Sequence, residues 1–219
     1  MNRLQKIGGI AALYQAAAYL VGIVLFLFVL DYPNVVEPVE KVALLVNHQV
    51  MMVLTTLFMY VIFGVFLVVL ALALHERLKA GASAIVQPAT ALGLIWGGAL
   101  IASGMVFNAG IAPVVALYGE DPARAAVVWS AIESVSNGLG GANGEILGGL
   151  WTVLVSWAAL RDGGLPRALN YLGLVVGGVG IISATPGLHA LAGLFGMSQI
   201  VWFVWLGTIL LRTGPDAEV

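Results

Sequence analysis

Apolar residues in this chain come in runs of twenty or more with few polar interruptions, rather than in an alternating or amphipathic pattern. Six such stretches stand out, at about residues 8–30, 44–74, 84–107, a long fourth within 125–160, 168–187 and 190–211. A helix rises ~1.5 Å per residue, so ~20 residues cross the ~30 Å hydrocarbon core of a bilayer. The pattern predicts an all-α, polytopic membrane helical bundle of six transmembrane helices in a single domain spanning 1–219. The second stretch is longer than one crossing needs. It predicts a strong tilt, or first turns around Asn47 and His48 that rise out of the membrane. The fourth holds WSAIESVSNGLGGANGEILGGLW, residues 129–151, whose glycines at 138, 140, 141 and 144 predict a break near 138–144.

The polar residues between the runs orient the chain. Arg3 and Lys6 precede the first run, Arg77 and Lys79 follow the second, Arg161 and Arg167 join the fourth and fifth, and Arg212 ends the sixth. With six alternating spans these seven of nine cations share one side. Asp31, Glu37, Glu40, Glu120 and Asp121 gather on the other, with only Lys41 and Arg124. The positive-inside rule then puts both termini in the cytoplasm. Short connections rich in Gly and Pro, such as RDGGLPR (161–167) and ATPGLHAL (184–191), serve as helix stops. The segment NAGIAPVVALYGEDPAR, residues 108–124, is apolar with a central proline and is expected to lie along the interface.

Composition narrows the classes further. The chain is 61% hydrophobic and 9% charged, against roughly 25% charged in a soluble domain. A net charge of -2 gives no reason to expect a nucleic-acid partner. There are no cysteines, so disulfides, thiolate catalysis and Cys-ligated zinc are excluded. The basic N-terminus before an apolar run has the outline of a signal peptide. The run is too long for one and lacks a cleavage site, so it is read as a retained first span.

Two patterns recur. Leu92, Gly93, Leu94, Gly97, Gly98, Ile101 and Ser103 reappear eighty residues later as Leu172, Gly173, Leu174, Gly177, Gly178, Ile181 and Ser183. Trp151 and Trp202 each precede an arginine, Arg161 and Arg212, by ten residues. Both fit weak parallel hairpin repeats, with glycines that let helices approach closely in lipid.

Candidate chemistry follows from polar groups at membrane depth, which are costly and face a bundle interior or a wet cavity. Glu145 lies sixteen residues before Arg161, or ~24 Å along a helix, which puts it in the outer half of the core. Glu133 and Asn137 share a face at i, i+4 further out. Asn47, His48, Asn143, His189 and Gln199 fall at similar depth. Glu133, Asn137, Asn143, Glu145, His48, Asn47, His189 and Gln199 therefore form a candidate ligand-binding set in the outer leaflet. A metal shared by His48, His189, Glu133 and Glu145 lacks any ligand spacing, so no metal is assigned. An acid/base reading would have Glu145 donate or relay a proton. The competing structural reading treats the carboxyls as interhelical contacts.

The stretches KIGGIAALYQAAAYLVGIVLF, LALALHERLKAG, ESVSNGLGGANGEILGGLW, SWAALRDGGLPRALNYLG and IVWFVWLGTILLR resemble a bacterial family of multi-span integral membrane proteins that carries a domain-of-unknown-function label. The resemblance covers residues 6 to 212 and implies one intact helical membrane domain. It brings no activity, cofactor or family residue roles. Location in the bacterial cytoplasmic (inner) membrane follows as an expectation. Three readings remain: a protein that binds or transports a small or lipid-like ligand, an accessory or scaffold subunit of a larger membrane complex or homo-oligomer, and an intramembrane enzyme.

Overall fold

A computed structural model describes residues 3–140 and 145–212 of the chain. Among these residues there is no strand. Helix α1 covers Arg3–Ile23 and runs on as a π-helical turn, Val24–Val29. A short 3₁₀ turn, Tyr32–Asn34, leads to α2, Pro38–Asn47, and α3, Gln49–Thr56. A second π-helical turn, Leu57–Ile62, opens the long α4, Phe63–Tyr118. Then follow α5 (Pro122–Gly140), α6 (Ile146–Asp162), α7 (Arg167–Ser183) and α8 (Leu191–Arg212).

Among the described residues, three helical stretches are long and apolar enough to cross a membrane: Arg3–Val29, Gln49–Tyr118 and Leu191–Arg212. The helix Arg167–Ser183 is apolar but shorter. These are the helices of a membrane protein. Large apolar side chains such as Ile10, Val65, Val175 and Val201 point outward, where lipid rather than water suits them.

Helix α4 is not one straight rod. Ala82 leaves the helical region (φ -143°, ψ 36°) and the chain folds back there. Gly64 and Gly97 would lie ~50 Å apart on a straight helix, yet a Cβ on Gly97 would come within 2.9 Å of the Gly64 carbonyl oxygen. His75 Nδ1 and Thr90 Oγ1, 2.9 Å apart, bridge the two arms near the fold. Beside this turn, Arg77 Nε donates to the Gly164 carbonyl (2.9 Å) in the α6–α7 connection. Gly163 ends α6 there with φ 76°, a left-handed cap that glycine adopts without strain.

The segment 108–124, expected along the interface, is mostly a continuation of α4, which runs through Pro113 to Tyr118. Proline removes one backbone hydrogen bond, but tertiary packing holds the helix straight enough to continue. Val114 and Ile111 are buried there against α2 and α5 residues. Packing is tightest between α6 and α7, α4 and α5, α1 and α8, and α4 and α6.

Two cores result. The larger runs through α1, the two arms of α4, α6 and α8, around Trp96, Trp151, Trp202 and Phe203. Its aromatic rings touch in series: Trp96 to Trp151 at 5.6 Å, Trp151 to Trp202 at 5.7 Å, and Trp202 to Phe203 at 5.4 Å. The smaller core joins α2, α3, α5 and the far end of α4 around Met52, Phe107 and Trp129. The candidate site lies at the seam between them.

Candidate functional site

Glu133 is the centre of the site. On α5 it shares a face with Trp129 and Asn137, four residues to either side. Its carboxylate accepts a hydrogen bond from Tyr32 Oη at 2.9 Å. It also takes an ion pair from Lys41 Nζ, at 3.3 and 3.4 Å to its two oxygens. Tyr32 Oη in turn accepts from Trp129 Nε1 at 3.1 Å, and Lys41 Nζ stands 5.0 Å from the Tyr32 ring centre. Tyr32, Lys41 and Trp129 thus arrive from three separate elements. Tyr32 is delivered by a tight turn in which Asp31 adopts φ 49° and accepts from Asn34 Nδ2 at 2.7 Å.

Lys41 and Glu133 keep 24% and 14% of their side-chain surface exposed, so their attraction is only partly screened. Removing one partner leaves the other's charge half-buried. Lys41→Met is expected to cost about 1–2 kcal/mol of stability, discounted from the fully buried case for that exposure. The double variant Lys41→Met/Glu133→Gln is expected to recover more than half of the loss. Denaturant unfolding of wild type, Lys41→Met, Glu133→Gln and the double variant in micelles checks both statements, and a Lys41→Met protein as stable as wild type refutes the structural role of the pair.

Behind this charged mouth lies a cleft of about 510 Å³, within the range of small-ligand sites. One wall is the end of α1 and its π turn, with Ile23, Phe26 and Leu27. Thr56 and the second π turn contribute as well, the latter with Met59 and Tyr60. Phe107 and the α5 residues Glu133, Ser136 and Asn137 complete it. Both π turns therefore contribute to its lining, and such turns concentrate at functional sites. Ser103 and Ser136 tie α4 to α5 at the cleft side by reciprocal bonds, each hydroxyl donating to the other's carbonyl at 2.8 and 3.2 Å. The Thr56 hydroxyl, at the wall, is buried with no partner among the described residues.

A second, smaller chamber of about 70 Å³ adjoins the cleft, sharing Tyr19, Met59 and Tyr60 with it. Glu145 lines this chamber, with Phe63 and Gly140. Its backbone is non-helical (φ -91°, ψ 54°) and forms the cap before α6. Its N–H donates to Ser183 Oγ on α7 at 3.1 Å, so α7 tethers the point where the helical path is interrupted. Among the described residues its carboxylate has no hydrogen-bond or ion-pair partner.

Of the candidate residues, Glu133 and Asn137 line the cleft and Glu145 the adjoining chamber. Asn143 lies outside the described residues. Asn47 and His48 are exposed at the turn between α2 and α3, around an open depression of their own. His189 is exposed in the α7–α8 turn. Gln199 is fully buried in the larger core, where its Nε2 donates to Thr152 Oγ1 at 2.9 Å. Among the described residues no three His, Asp or Glu side chains are grouped to hold a metal ion. Tyr32, Lys41, Trp129, Tyr19 and Tyr60 were not foreseen. The one available signal was Trp129 at i-4 from Glu133, with Lys41 as a rare cation on an acidic flank.

Among known sequences, the model of one family, a domain of unknown function (DUF4386), matches residues 15–214. The chain belongs to the DUF4386 family. The match takes in nearly all of the described helices, including every residue named at the cleft and the chamber. No curated protein and no solved structure matches the chain.

Proposed function

We propose that this DUF4386 protein binds a lipid-like amphiphile in the cleft between the end of α1 and α5. In this reading it is one helical unit with six spans in the bacterial cytoplasmic membrane, both termini on the cytoplasmic side. The spans are α1 with its π turn, the two arms of the folded Gln49–Tyr118 stretch, α5 with α6 as an interrupted fourth, α7 and α8. Seven of nine cations on one side support the orientation. The cleft then opens in the outer leaflet, where a ligand enters sideways from the bilayer.

The cleft itself carries the proposal. It is roomy, mostly apolar, and bordered at its mouth by a hydrogen-bonded Lys–Glu–Tyr cluster. Few convergent polar groups on an apolar wall suit a molecule with a tail and a head. Carrying that molecule across or between leaflets would be the natural use of such a site.

The test fills the cleft. Ile23→Trp/Leu27→Trp places two indoles at positions that line it without sitting in either core. Protein purified in a non-ionic detergent is expected to retain an amphiphile visible by native mass spectrometry, and the double variant to retain about tenfold less. Equal retention, or no bound species in either, overturns the assignment. The absence of native cysteines allows the topology to be read separately. Asp121→Cys should react with an impermeant thiol reagent from outside the cell, and Ser83→Cys should not.

A second reading rests on different residues. A Cβ on Gly98 or Gly178 would meet nothing within 4 Å. These two glycines, eighty residues apart, present small-residue faces on α4 and α7 that another membrane helix could cover. An accessory subunit or a homo-oligomer would use those faces.

A further inference from the structure

The cleft and its chamber differ in charge. At the mouth, Lys41 and Glu133 neutralise one another at 3.3 Å. In the chamber, Glu145 stands without a cation among the described residues and shares the lining with the side chains of Tyr19, Tyr60 and Phe63. Among the described residues, the lining of the two spaces carries one unmatched carboxylate.

Ring faces carry negative charge density and attract cations. Methionine, here Met59, is a soft and flexible neighbour. A carboxyl amid such groups is neutralised by a proton or by a cation. The start of α6 adds a partial positive charge of roughly half a unit near Glu145, too small to cancel a full carboxylate. The chamber is thus a cation-seeking space. Its volume of about 70 Å³ suits an ammonium head, while the neighbouring 510 Å³ suits an alkyl or aryl tail.

Resting on the cleft reading above, we propose that the ligand is a cationic amphiphile whose ammonium group enters the Tyr19–Tyr60–Phe63 chamber and pairs with Glu145, its tail lying along Phe26, Leu27 and Met59. Met59 stands between the two spaces and belongs to both linings. Its side chain already presses on Gly22, where a Cβ would overlap the methionine methyl.

Three probes of equal tail length test the assignment on the full chain in a non-ionic detergent: octylamine, octanol and octanoate. At neutral pH the amine is protonated, as a lysine side chain is. By calorimetry, octylammonium is expected to bind at least about tenfold tighter than octanol, and octanoate more weakly than either. Glu145→Gln is expected to bring octylammonium down to the octanol value without weakening octanol. Glu145→Asp, which keeps the charge, is expected to keep the preference. The wild-type comparison needs no substitution at all. Equal binding of amine and alcohol, a preference that survives Glu145→Gln, or octanoate as the tightest ligand would each overturn the cationic assignment. Octanol binding abolished by Ile23→Trp/Leu27→Trp would leave the cleft standing in those cases. If none of the three binds, the cleft reading falls together with this one.

Discussion

Trp151→Ala is expected to be the most damaging single substitution in the protein, costing about 3–5 kcal/mol. Trp151 is fully buried where α6 meets α4 and α8. Its ring touches Trp96, Trp202 and Phe203. Lipid tails are as apolar as a leucine, so helices in a bilayer associate through close contact rather than through escape from water. An indole removed from that junction forfeits contacts with both α4 and α8, and no single neighbour can move in to restore them. Unfolding in mixed micelles reads the loss directly. A cost below about 1 kcal/mol would show that the aromatic series is not what holds these helices together.

The next largest effect is expected at a glycine with a built-in control beside it. A Cβ at Gly177 would lie 2.6 Å from the Gly149 carbonyl oxygen and 2.9 Å from the Val153 nitrogen, both backbone atoms that cannot rotate aside. Gly177→Val must separate α6 from α7 and is expected to cost about 3 kcal/mol, at the upper end of overpacking penalties. Gly178→Val, one residue on, meets nothing within 4 Å and is expected to stay within about 0.5 kcal/mol of wild type. The same unfolding assay compares the two. Equal effects would refute the close approach of α6 and α7. A large loss at Gly178 only in the oligomeric or complexed protein would instead mark that face as a contact for another helix.

These glycines also show what a membrane sequence makes legible. Long apolar runs read directly as helices of a membrane protein, and the quoted stretches led to the right family. Gly93 and Gly173, matched in sequence at eighty residues, each face an indole nitrogen, that of Trp151 and of Trp202, respectively. What the runs conceal is the angle of each helix. In water an apolar stripe points to the core, but in lipid both faces are apolar and the stripe loses its contrast. Gln199 illustrates the loss. Its place inside an apolar run was plain from the sequence, yet nothing there told whether it faced a cavity or, as it does, Thr152 in the larger core.

The partners of Glu133 were concealed for another reason. Tyr32 and Lys41 lie 101 and 92 residues away, and no spacing rule spans such a distance. Their meeting depends on the fold-back at Ala82, which brings α5 beside α2. His48 and His189 stand at turns where depth along the chain said little about direction, because a turn has no periodicity to count. The persistence of α4 beyond Asn108 was hidden by Pro113, a local breaker overruled by burial of Ile111 and Val114 on either side.

The wide turns at Val24–Val29 and Leu57–Ile62 each hold a residue more than an ordinary coil of the same height. One residue inserted into a helix swings everything after it by about 100°. Tyr32 follows the first of these turns, and its meeting with Glu133 depends on that swing. Phe63, which faces the Glu145 chamber, follows the second. The angular setting of both ends of the cavity is therefore fixed by chain length inside two short stretches that contain no polar atom beyond the Tyr60 hydroxyl and the backbone. Family members that differ by a single residue in either stretch would present a different set of side chains to whatever enters.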